Sequence, residues 1–175
     1  MQILVLFILS LVTLLLLCVL AGFVFFVIDL FLMELPFVAT RKEKISTIIK
    51  FAAIKKGETV IDLGSGDGRL LLKSAKQGAM AIGYELNLYL VIFTLIRAKL
   101  NGYGTKIKVM RQNLWDADLK VADIIFVYGR KKTMQKFQNF VYKNAKRGTH
   151  LVVNDNPFPD KKPIKVENKV YLYKV

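Results

Sequence analysis

The chain opens with a long apolar stretch in which residues 1–28 carry no charged side chain. Its apolar run is interrupted only by Ser10, Thr13 and Gly22. A bilayer core about 30 Å thick needs roughly 20 consecutive apolar residues in a helix. The pattern therefore predicts one transmembrane helix, and residues 1–33 are assigned to a membrane anchor.

A cleaved signal peptide is the competing interpretation of this stretch. Such a peptide has a basic start, a shorter apolar core and a small-x-small cleavage site. Here Gln2 stands in place of the basic start and the apolar run is longer. A lipoprotein site at Cys18 is disfavoured as well, because bulky Leu17 precedes it. The pattern favours an uncleaved anchor.

Residues 34–44 are predicted to form a hinge, since Pro36 ends the membrane helix and Thr40 can cap a following helix. Apolar residues then recur at helical spacing until Gly57 stops that helix. Beyond it, strand-like and helix-like blocks alternate. The predicted strands are residues 59–64, 79–86, 106–113, 122–128, 149–155, 163–168 and 169–175, and the helices among them are 68–78, 87–102 and 131–148.

This alternation predicts right-handed crossovers and a mostly parallel sheet with helices on both faces. The last two strands are joined by a very tight turn at Asn168, which suits an antiparallel hairpin at the sheet edge. The fold class is therefore α/β, a Rossmann-like seven-stranded domain over residues 45–175 after one transmembrane helix. The apolar helix over residues 88–100 is expected to pack in the core, with a membrane contact as the alternative, because Tyr89, Phe93 and Ile96 exceed what one buried face needs.

Charge is distributed unevenly about the apolar stretch, because all 27 Lys and Arg residues follow it. The positive-inside rule then places the amino terminus outside and the domain in the cytoplasm, at the cell (inner) membrane. Eleven of the 13 acidic residues also lie in residues 41–175, which leaves that part with a net charge of +16. This favours attraction to anionic lipid headgroups. Nucleic acid is the less favoured partner, because the basic residues are scattered and form no arginine and aromatic platform.

Cys18 is the one cysteine in the sequence, and it lies within the predicted anchor. The domain therefore has no disulfide and no cysteine metal site.

A glycine-rich turn, DLGSGDG over residues 62–68, follows the first strand of the domain. Ligands bind beyond the carboxyl ends of strands in such sheets, and glycines let the backbone approach them. A dinucleotide turn reads G-x-G-x-x-G and holds a pyrophosphate. This turn reads G-x-G-x-G, with Asp62 before it and Asp67 inside it, and two carboxylates tolerate a cationic sulfonium better than a pyrophosphate. It favours S-adenosylmethionine over NAD, with a predicted cofactor site at Asp62, Gly64, Ser65 and Gly66.

The ends of the next two strands supply further cofactor candidates. Glu85 comes about 20 residues after the turn, where a Rossmann-like site places the carboxylate that accepts the ribose hydroxyls. Asn113, at the end of the third predicted strand, offers a side-chain oxygen to the adenine amine. Leu114 with Trp115 is expected to cover the adenine face, and packing of a short loop is the alternative for Trp115.

These residues resemble the seven-stranded, class I S-adenosylmethionine-dependent methyltransferases. More narrowly, the chain is similar to membrane-associated protein-lysine methyltransferases that modify the ATP synthase c subunit and the adenine nucleotide translocase, and to their prokaryotic relatives. The segments that carry the resemblance are PFVAT (36–40), VIDLGSGDGR (60–69), AIGYELN (81–87), ADIIFVY (122–128) and GTHLVVNDNPFP (148–159). The resemblance implies the fold, the cofactor and a lysine acceptor, and it adds Thr40 of the first segment to the cofactor site.

Two departures from the family pattern stand out. The relatives usually have Asp where Asn113 stands, and an amide oxygen still accepts a hydrogen bond. They have a leucine-leucine-proline segment where this chain has residues 129–131, Gly-Arg-Lys. The second change lies beside the exit of the fourth strand and therefore bears on the acceptor pocket.

Methyl transfer from a sulfonium is an in-line displacement, so catalysis consists mainly of holding the reacting atoms in line. A lysine acceptor must first lose a proton, and a dry pocket assists this by lowering its pKa. Tyr128, at the end of the fourth strand, is expected to form a pocket wall, and Asp155 to orient or deprotonate the amine. The alternatives are core packing for Tyr128 and a turn ahead of Pro157 for Asp155.

The residues leave three functions open. The first is a membrane-anchored protein-lysine methyltransferase that acts on a membrane-associated protein. The second is a methyltransferase for a lipid or quinone, since the same anchor brings the site to amphiphilic molecules. The third is a non-enzymatic cofactor-binding membrane protein, motivated by the altered segment after Tyr128.

Overall fold

The computed structural model describes residues 2–32 and 42–175, and the chain divides into two compact units near residue 36. The first unit contains helix α1, Gln2–Leu32. Its part Gln2–Phe25 is long and apolar enough to cross a bilayer, and these side chains are exposed. Much of the predicted hinge, together with Thr40, lies outside the described residues.

The second unit is built on a seven-stranded sheet in the order β3-β2-β1-β4-β5-β7-β6. Five strands run parallel, and β7 is antiparallel to both β5 and β6. This confirms the predicted fold class. The strands are β1 Thr59–Leu63, β2 Met80–Tyr84, β3 Ile107–Met110, β4 Ile124–Tyr128, β5 His150–Asn154, β6 Lys165–Glu167 and β7 Val170–Lys174.

Four helices accompany this sheet among the described residues, with short 3-10 turns at Leu114–Asp116 and Lys131–Thr133. They are α2 Lys42–Ala52, α3 Arg69–Lys76, α4 Leu88–Leu100 and α5 Met134–Asn144.

The helices cover both faces of the sheet, as the alternation predicts. On one face, Phe51 of α2 and Leu70 of α3 join Phe126 of β4 in a single buried cluster. Tyr173 of β7 points to the opposite face, where its ring lies 4.9 Å from Phe158 between centroids. Phe158 in turn meets Tyr142 of α5 at 6.2 Å. The buried residues of β1, β4 and β5 are thus covered from both sides.

The β6–β7 hairpin closes the sheet with a two-residue turn. Asn168 and Lys169 have φ of 53° and 58°, as a type I′ turn requires at both central positions. Asn168 tolerates this conformation, and its side-chain amide donates to Thr47 Oγ1 of α2 at 3.1 Å. The tight turn predicted at Asn168 is confirmed.

Two elements differ from the expectations. Strand β3 ends at Met110, so Asn113 lies three residues beyond it in a turn. Helix α4 buries the small residues Val91, Thr94 and Ala98 and exposes its large apolar ones. The expectation that this helix packs its apolar side chains in the core is therefore wrong. Only one side of α4 contacts the sheet and α3, and the close approach of the helix on that side favours small side chains.

One close contact beneath the glycine turn depends on a residue without a side chain. A Cβ on Gly83 of β2 would lie 2.5 Å from Ser65 Oγ and 2.7 Å from Leu71 Cδ1. Leu71 is fully buried, so it cannot move aside without disturbing the core.

We therefore expect Gly83→Ala to destabilise the domain by about 1–3 kcal/mol, the usual cost of overpacking. The matched control is Gly104→Ala, because the nearest atom to a Cβ there is Lys99 Cα at 3.7 Å. Thermal unfolding of the full chain in detergent measures both variants. Equal melting temperatures for the two would contradict the packing argument.

Candidate functional site

The glycine turn after β1 folds back onto the end of β2. The amides of Gly64 and Ser65 both donate to Tyr84 O at 3.0 Å. Gly64, Gly66 and Gly68 have φ of 90°, 54° and 71°, a region that side chains make costly. Over Gly64 the nearest atom to an added Cβ is Leu114 Cδ2, at 3.9 Å. The turn thus leaves an open cradle with Leu114 at its margin.

Helix α4 holds the far side of the turn. A Cβ on Gly68 would lie 2.2 Å from Thr94 Cγ2, so turn and helix are in direct contact. Thr94 Oγ1 donates to Gly66 O at 3.2 Å, and Arg97 Nη1 donates to Asp67 O at 2.7 Å. These contacts fix the turn to residues some 30 positions later in the chain.

Asp67 is engaged within the turn itself. Arg69 donates to its two carboxylate oxygens, with Nε–Oδ1 at 2.8 Å and Nη2–Oδ2 at 2.7 Å. Burial opposes the charge, but Arg69 and Arg97 outweigh it and hold the pKa of Asp67 below its usual value. Asp67 therefore does not present an unpaired negative charge to a ligand. Asp62 and Glu85 are then the acidic residues of the site that disfavour a pyrophosphate.

Asp62 is the buried acid of the site, at 7% exposure. Burial raises its pKa well above the ordinary value, and the nearby charges of Glu85 and Asp67 raise it further. A buried carboxylate in this setting is stabilised by a proton or by a cationic ligand. S-adenosylmethionine carries a sulfonium and an ammonium group, so the charge and the open cradle both fit it.

Glu85 bridges the turn and the start of α4. Its Oε2 accepts from Gly66 N and its Oε1 from Asn87 N, each at 2.9 Å. A carboxylate has about four acceptor positions, so two remain for hydroxyl groups of a ligand. The structure brings Glu85 to the glycine turn, where the sequence predicted a ribose contact.

The segment after β3 lies over the cradle through Leu114 rather than through Asn113. Asn113 is exposed, and its Oδ1 accepts from Trp115 N at 3.2 Å as the cap of the 3-10 turn. The ring centroid of Trp115 lies 4.5 Å from that of Phe137 and 5.5 Å from that of Phe140, both in α5. The Trp115 contacts thus match the alternative of loop packing, and the adenine role of Asn113 stays a prediction.

Tyr128 and Asp155 come together at the ends of β4 and β5. Burial raises the pKa of Tyr128, and the charge and hydrogen bonding of Asp155 add to the shift. Asp155 has a φ of 68°, which suits a turn residue, so its conformation also matches the alternative interpretation. Its carboxylate forms an ion pair with Lys44 of α2.

Lys44 was not found by sequence reasoning, because 111 residues separate it from Asp155 and no motif marks it. Its side chain is 18% exposed and that of Asp155 35%, so the pair is partly shielded from water. The carboxylate that was predicted to hold an acceptor amine therefore holds the amine of the chain's own lysine.

Asn154, at the end of β5, is among the strand-end residues that the sequence places where they can face the methyl group. It is the register partner of Tyr128 and is 4% exposed. Its Oδ1, with Ser65 Oγ, is a buried side-chain atom that lacks a hydrogen-bond partner among the residues described. Burying such an oxygen unpaired is costly, so the end of β5 offers an acceptor for an incoming donor.

The segment that departs from the family pattern, residues 129–131, follows β4 and leads into the 3-10 turn that precedes α5. A Cβ on Gly129 would lie 2.7 Å from Phe137 Cε2, so this position packs tightly under the helix. Gly129 O accepts from Asn156 Nδ2 at 2.8 Å, which ties the exits of β4 and β5 together. Arg130 is exposed.

A depression of about 530 Å³ lies at the opposite, amino end of β5. Its lining includes Lys50, His150, Lys165 and Glu167. Because His150 begins β5, this depression is separate from the glycine turn at the carboxyl ends of the strands.

The chain is similar in sequence to known methyltransferases. The family model of the ANTKMT methyltransferase domain matches residues 62–165. The human lysine N-methyltransferase of the ATP synthase c subunit is 29% identical over 125 residues, which are 71% of this chain and 53% of that protein. The protein-lysine N-methyltransferase of Saccharolobus islandicus is 26% identical over 153 residues, with 80% of this chain and 93% of that protein covered. The chain thus spans about half the length of the human relative and nearly all of the Saccharolobus one.

Solved structures of methyltransferases are also similar to the fold of this chain. An RNA methyltransferase from Salinibacter ruber in complex with S-adenosylhomocysteine is 26% identical with a TM-score of 0.75, covering 78% of this chain and 93% of that one. A methyltransferase from Thiobacillus denitrificans, also with S-adenosylhomocysteine, shows the fold alone, at 22% identity and a TM-score of 0.57 over 65% of this chain and 48% of that one. The predicted resemblance and the predicted cofactor, S-adenosylmethionine, are confirmed.

The Glu85 carboxylate yields a test of the cofactor site. Glu85→Gln leaves one oxygen for two backbone amides and no charge for the ligand, so we expect cofactor affinity to fall at least tenfold, about 1.4 kcal/mol. Calorimetric titration of the full chain in detergent with S-adenosylhomocysteine measures the change.

The matched control is Glu58→Gln. Glu58 also accepts from a backbone amide, Lys55 N at 2.6 Å, but it precedes β1 at the other end of the strand. Unchanged affinity in Glu85→Gln, or an equal loss in both variants, would contradict the proposed ribose contact.

Proposed function

We propose that this chain, which belongs to the family of the ANTKMT methyltransferase domain, transfers methyl groups from S-adenosylmethionine to the side-chain amine of a protein lysine. The observation that carries the proposal is the family match over the glycine turn, joined by lysine methyltransferases among the relatives. The Saccharolobus relative is matched over almost its whole length. A protein that the chain covers almost entirely is thus named as a protein-lysine methyltransferase.

The cofactor supplies a methyl group on a sulfonium, and the residues of the chain have to place a neutral amine in line with it. The lysine ammonium would first give its proton to Asp155 or to water. The amine lone pair would then form the nitrogen–carbon bond as the carbon–sulfur bond breaks, so that the positive charge passes from sulfur to nitrogen and the cofactor leaves as a neutral thioether. Asp62 and Glu85 supply negative charge at the cofactor end of the site. Tyr128, Asn154 and Asp155 supply oxygens at the strand ends where the acceptor enters.

The contacts of these oxygens support a lysine acceptor. The ion pair of Asp155 with Lys44 supports a role of this carboxylate in receiving a lysine ammonium. Asn154 Oδ1 is a buried acceptor without a partner among the described residues, which an amine N–H can satisfy. We infer that an incoming lysine takes over the Asp155 contact from Lys44, so the two amines compete for one carboxylate.

We further propose that α1 anchors the chain in the cell membrane, with the amino terminus outside and the domain in the cytoplasm. The basic residues that follow the helix support this orientation, and they attract anionic headgroups. A membrane-associated protein is then the acceptor within reach. The same placement would also serve a lipid or quinone acceptor, which is the second candidate.

Acceptor classes can be separated by one labelling experiment. Membranes and ribosome-free cytosol are incubated with the purified full chain and S-adenosylmethionine labelled on the methyl group. Label is then measured in protein bands, in the organic extract and in purified RNA, since one structural neighbour is an RNA methyltransferase. We expect label in protein, located on lysine by mass spectrometry. Label in the extract or in RNA alone would overturn the lysine proposal.

The role of Asp155 is tested by two variants of one ion pair. Asp155→Asn removes the charge that holds the acceptor, so turnover should fall tenfold or more, about 1.4 kcal/mol, at unchanged cofactor affinity. Lys44→Met frees the carboxylate instead, so methylation at limiting acceptor should rise. A purely structural ion pair would lower the melting temperature in both variants and leave their activities equal.

The orientation of α1 is tested by fusions after Val175. Green fluorescent protein placed there should fluoresce, and alkaline phosphatase should be inactive, because the carboxyl side of the helix is cytoplasmic. In inverted vesicles an added protease should then remove the domain. Protection of the domain in those vesicles would contradict the orientation.

A further inference from the structure

Helix α4 carries most of the exposed large apolar side chains within residues 42–175. Six large apolar side chains of this helix are between 40% and 81% exposed. We call them the α4 apolar face: Leu88, Ile92, Phe93, Leu95, Ile96 and Leu100. In a typical surface helix the large apolar side chains face the core, and α4 has the reverse arrangement.

The α4 apolar face occupies one continuous side of the helix. At about 100° per residue these six positions fall within an arc of roughly 160°. Lys99 is the one charged residue within that arc. Arg97 lies at its border, with its guanidinium 5.3 Å from the centroid of the Phe93 ring. An apolar surface of this kind on a soluble domain marks an interaction site.

We propose that the α4 apolar face docks on the surface of a bilayer that contains anionic lipid, as a second membrane contact beside α1. The inference rests on the membrane placement proposed above. Interfacial helices combine an apolar side with nearby Lys and Arg residues, and α4 has Lys99 within its apolar arc and Arg97 at the border. Long basic side chains such as Lys99 reach from an apolar surface to the headgroups.

The short segment that joins the domain to α1 and the positive charge of the domain both favour lipid as the partner of the α4 apolar face. Ten peptide steps join Leu32 to Lys42, and in any conformation they reach no more than about 36 Å. A domain tethered at this distance from a spanning helix meets the bilayer continually. Its net charge of +16 over residues 41–175 adds attraction to anionic headgroups.

A second copy of the chain fits the face less well. A symmetric pair would bring Lys99 of each copy into the same apolar contact, and like charges in such a contact are unfavourable. At a bilayer the same lysine extends into the headgroup layer without a like charge opposite it.

Docking through α4 would also orient the site. The helix begins directly after Glu85 and is capped by Asn87, whose Oδ1 accepts from Tyr89 N and Leu90 N at 2.9 and 3.2 Å. Thr94 of the same helix contacts the glycine turn. Fixing α4 at the bilayer therefore fixes the distance of the cofactor cradle from the membrane surface, which favours acceptors that stand close to it.

The test uses the full chain with one introduced cysteine. In a Cys18→Ser background, Ile96→Cys is labelled with an environment-sensitive nitrobenzoxadiazole dye and reconstituted into vesicles of phosphatidylcholine and phosphatidylglycerol in equal amounts. The matched control is Ile164→Cys, an exposed apolar position next to β6 at the other edge of the sheet. We expect a blue shift and quenching by brominated lipid at position 96, and neither at position 164.

Two results would overturn the proposal. Emission at position 96 equal to that in water means that the face does not meet lipid. A blue shift without quenching by brominated lipid, together with cross-linking between chains, means that a second copy covers it. Resistance of the protein to extraction by alkaline carbonate and its binding of the cofactor are measured on the same samples. Loss of either identifies a failure of the anchor or of the methyltransferase site instead.

Discussion

The carboxylate of Glu85 is the contact on which the arrangement of the site depends. It accepts from Gly66 N in the glycine turn and from Asn87 N at the start of α4, so three elements meet at one side chain. Charge-assisted hydrogen bonds of this kind are about twice as strong as neutral ones. Thr94 and Arg97 then reach back from α4 to the same turn. These contacts fix the cofactor cradle, the strand end and the helix as one unit.

This arrangement explains which parts of the site could be predicted from sequence. Glycines in a turn after a buried strand, and an acid about 20 residues later, are local signals that the general geometry of parallel sheets places together. Asp67 shows the limit of such reasoning, since its carboxylate is neutralised by Arg69 and Arg97, and nothing in the spacing reveals the second arginine. Asn113 shows another limit, because β3 ends three residues early and strand ends are poorly defined by pattern alone.

The acceptor end depends more heavily on long-range contacts. Lys44 meets Asp155 across 111 residues. Asn154 Oδ1 has no hydrogen-bond partner among the described residues because of its surroundings in three dimensions. Likewise, the apolar composition of α4 predicted burial, whereas one-sided packing against small residues leaves the large ones outside. Hydrophobicity indicates that a side chain will be removed from water, but it does not identify the surface that will cover it.

The single tryptophan of the chain lies next to Leu114, the residue at the margin of the cradle. Its indole is packed against Phe137 and Phe140 and lies 4.2 Å from Lys136 Nζ, so its excited state is sensitive to small displacements of the 3-10 turn. The protein therefore carries a built-in optical reporter. Its intrinsic emission can follow occupancy of the cradle in real time, without a label and without an identified acceptor.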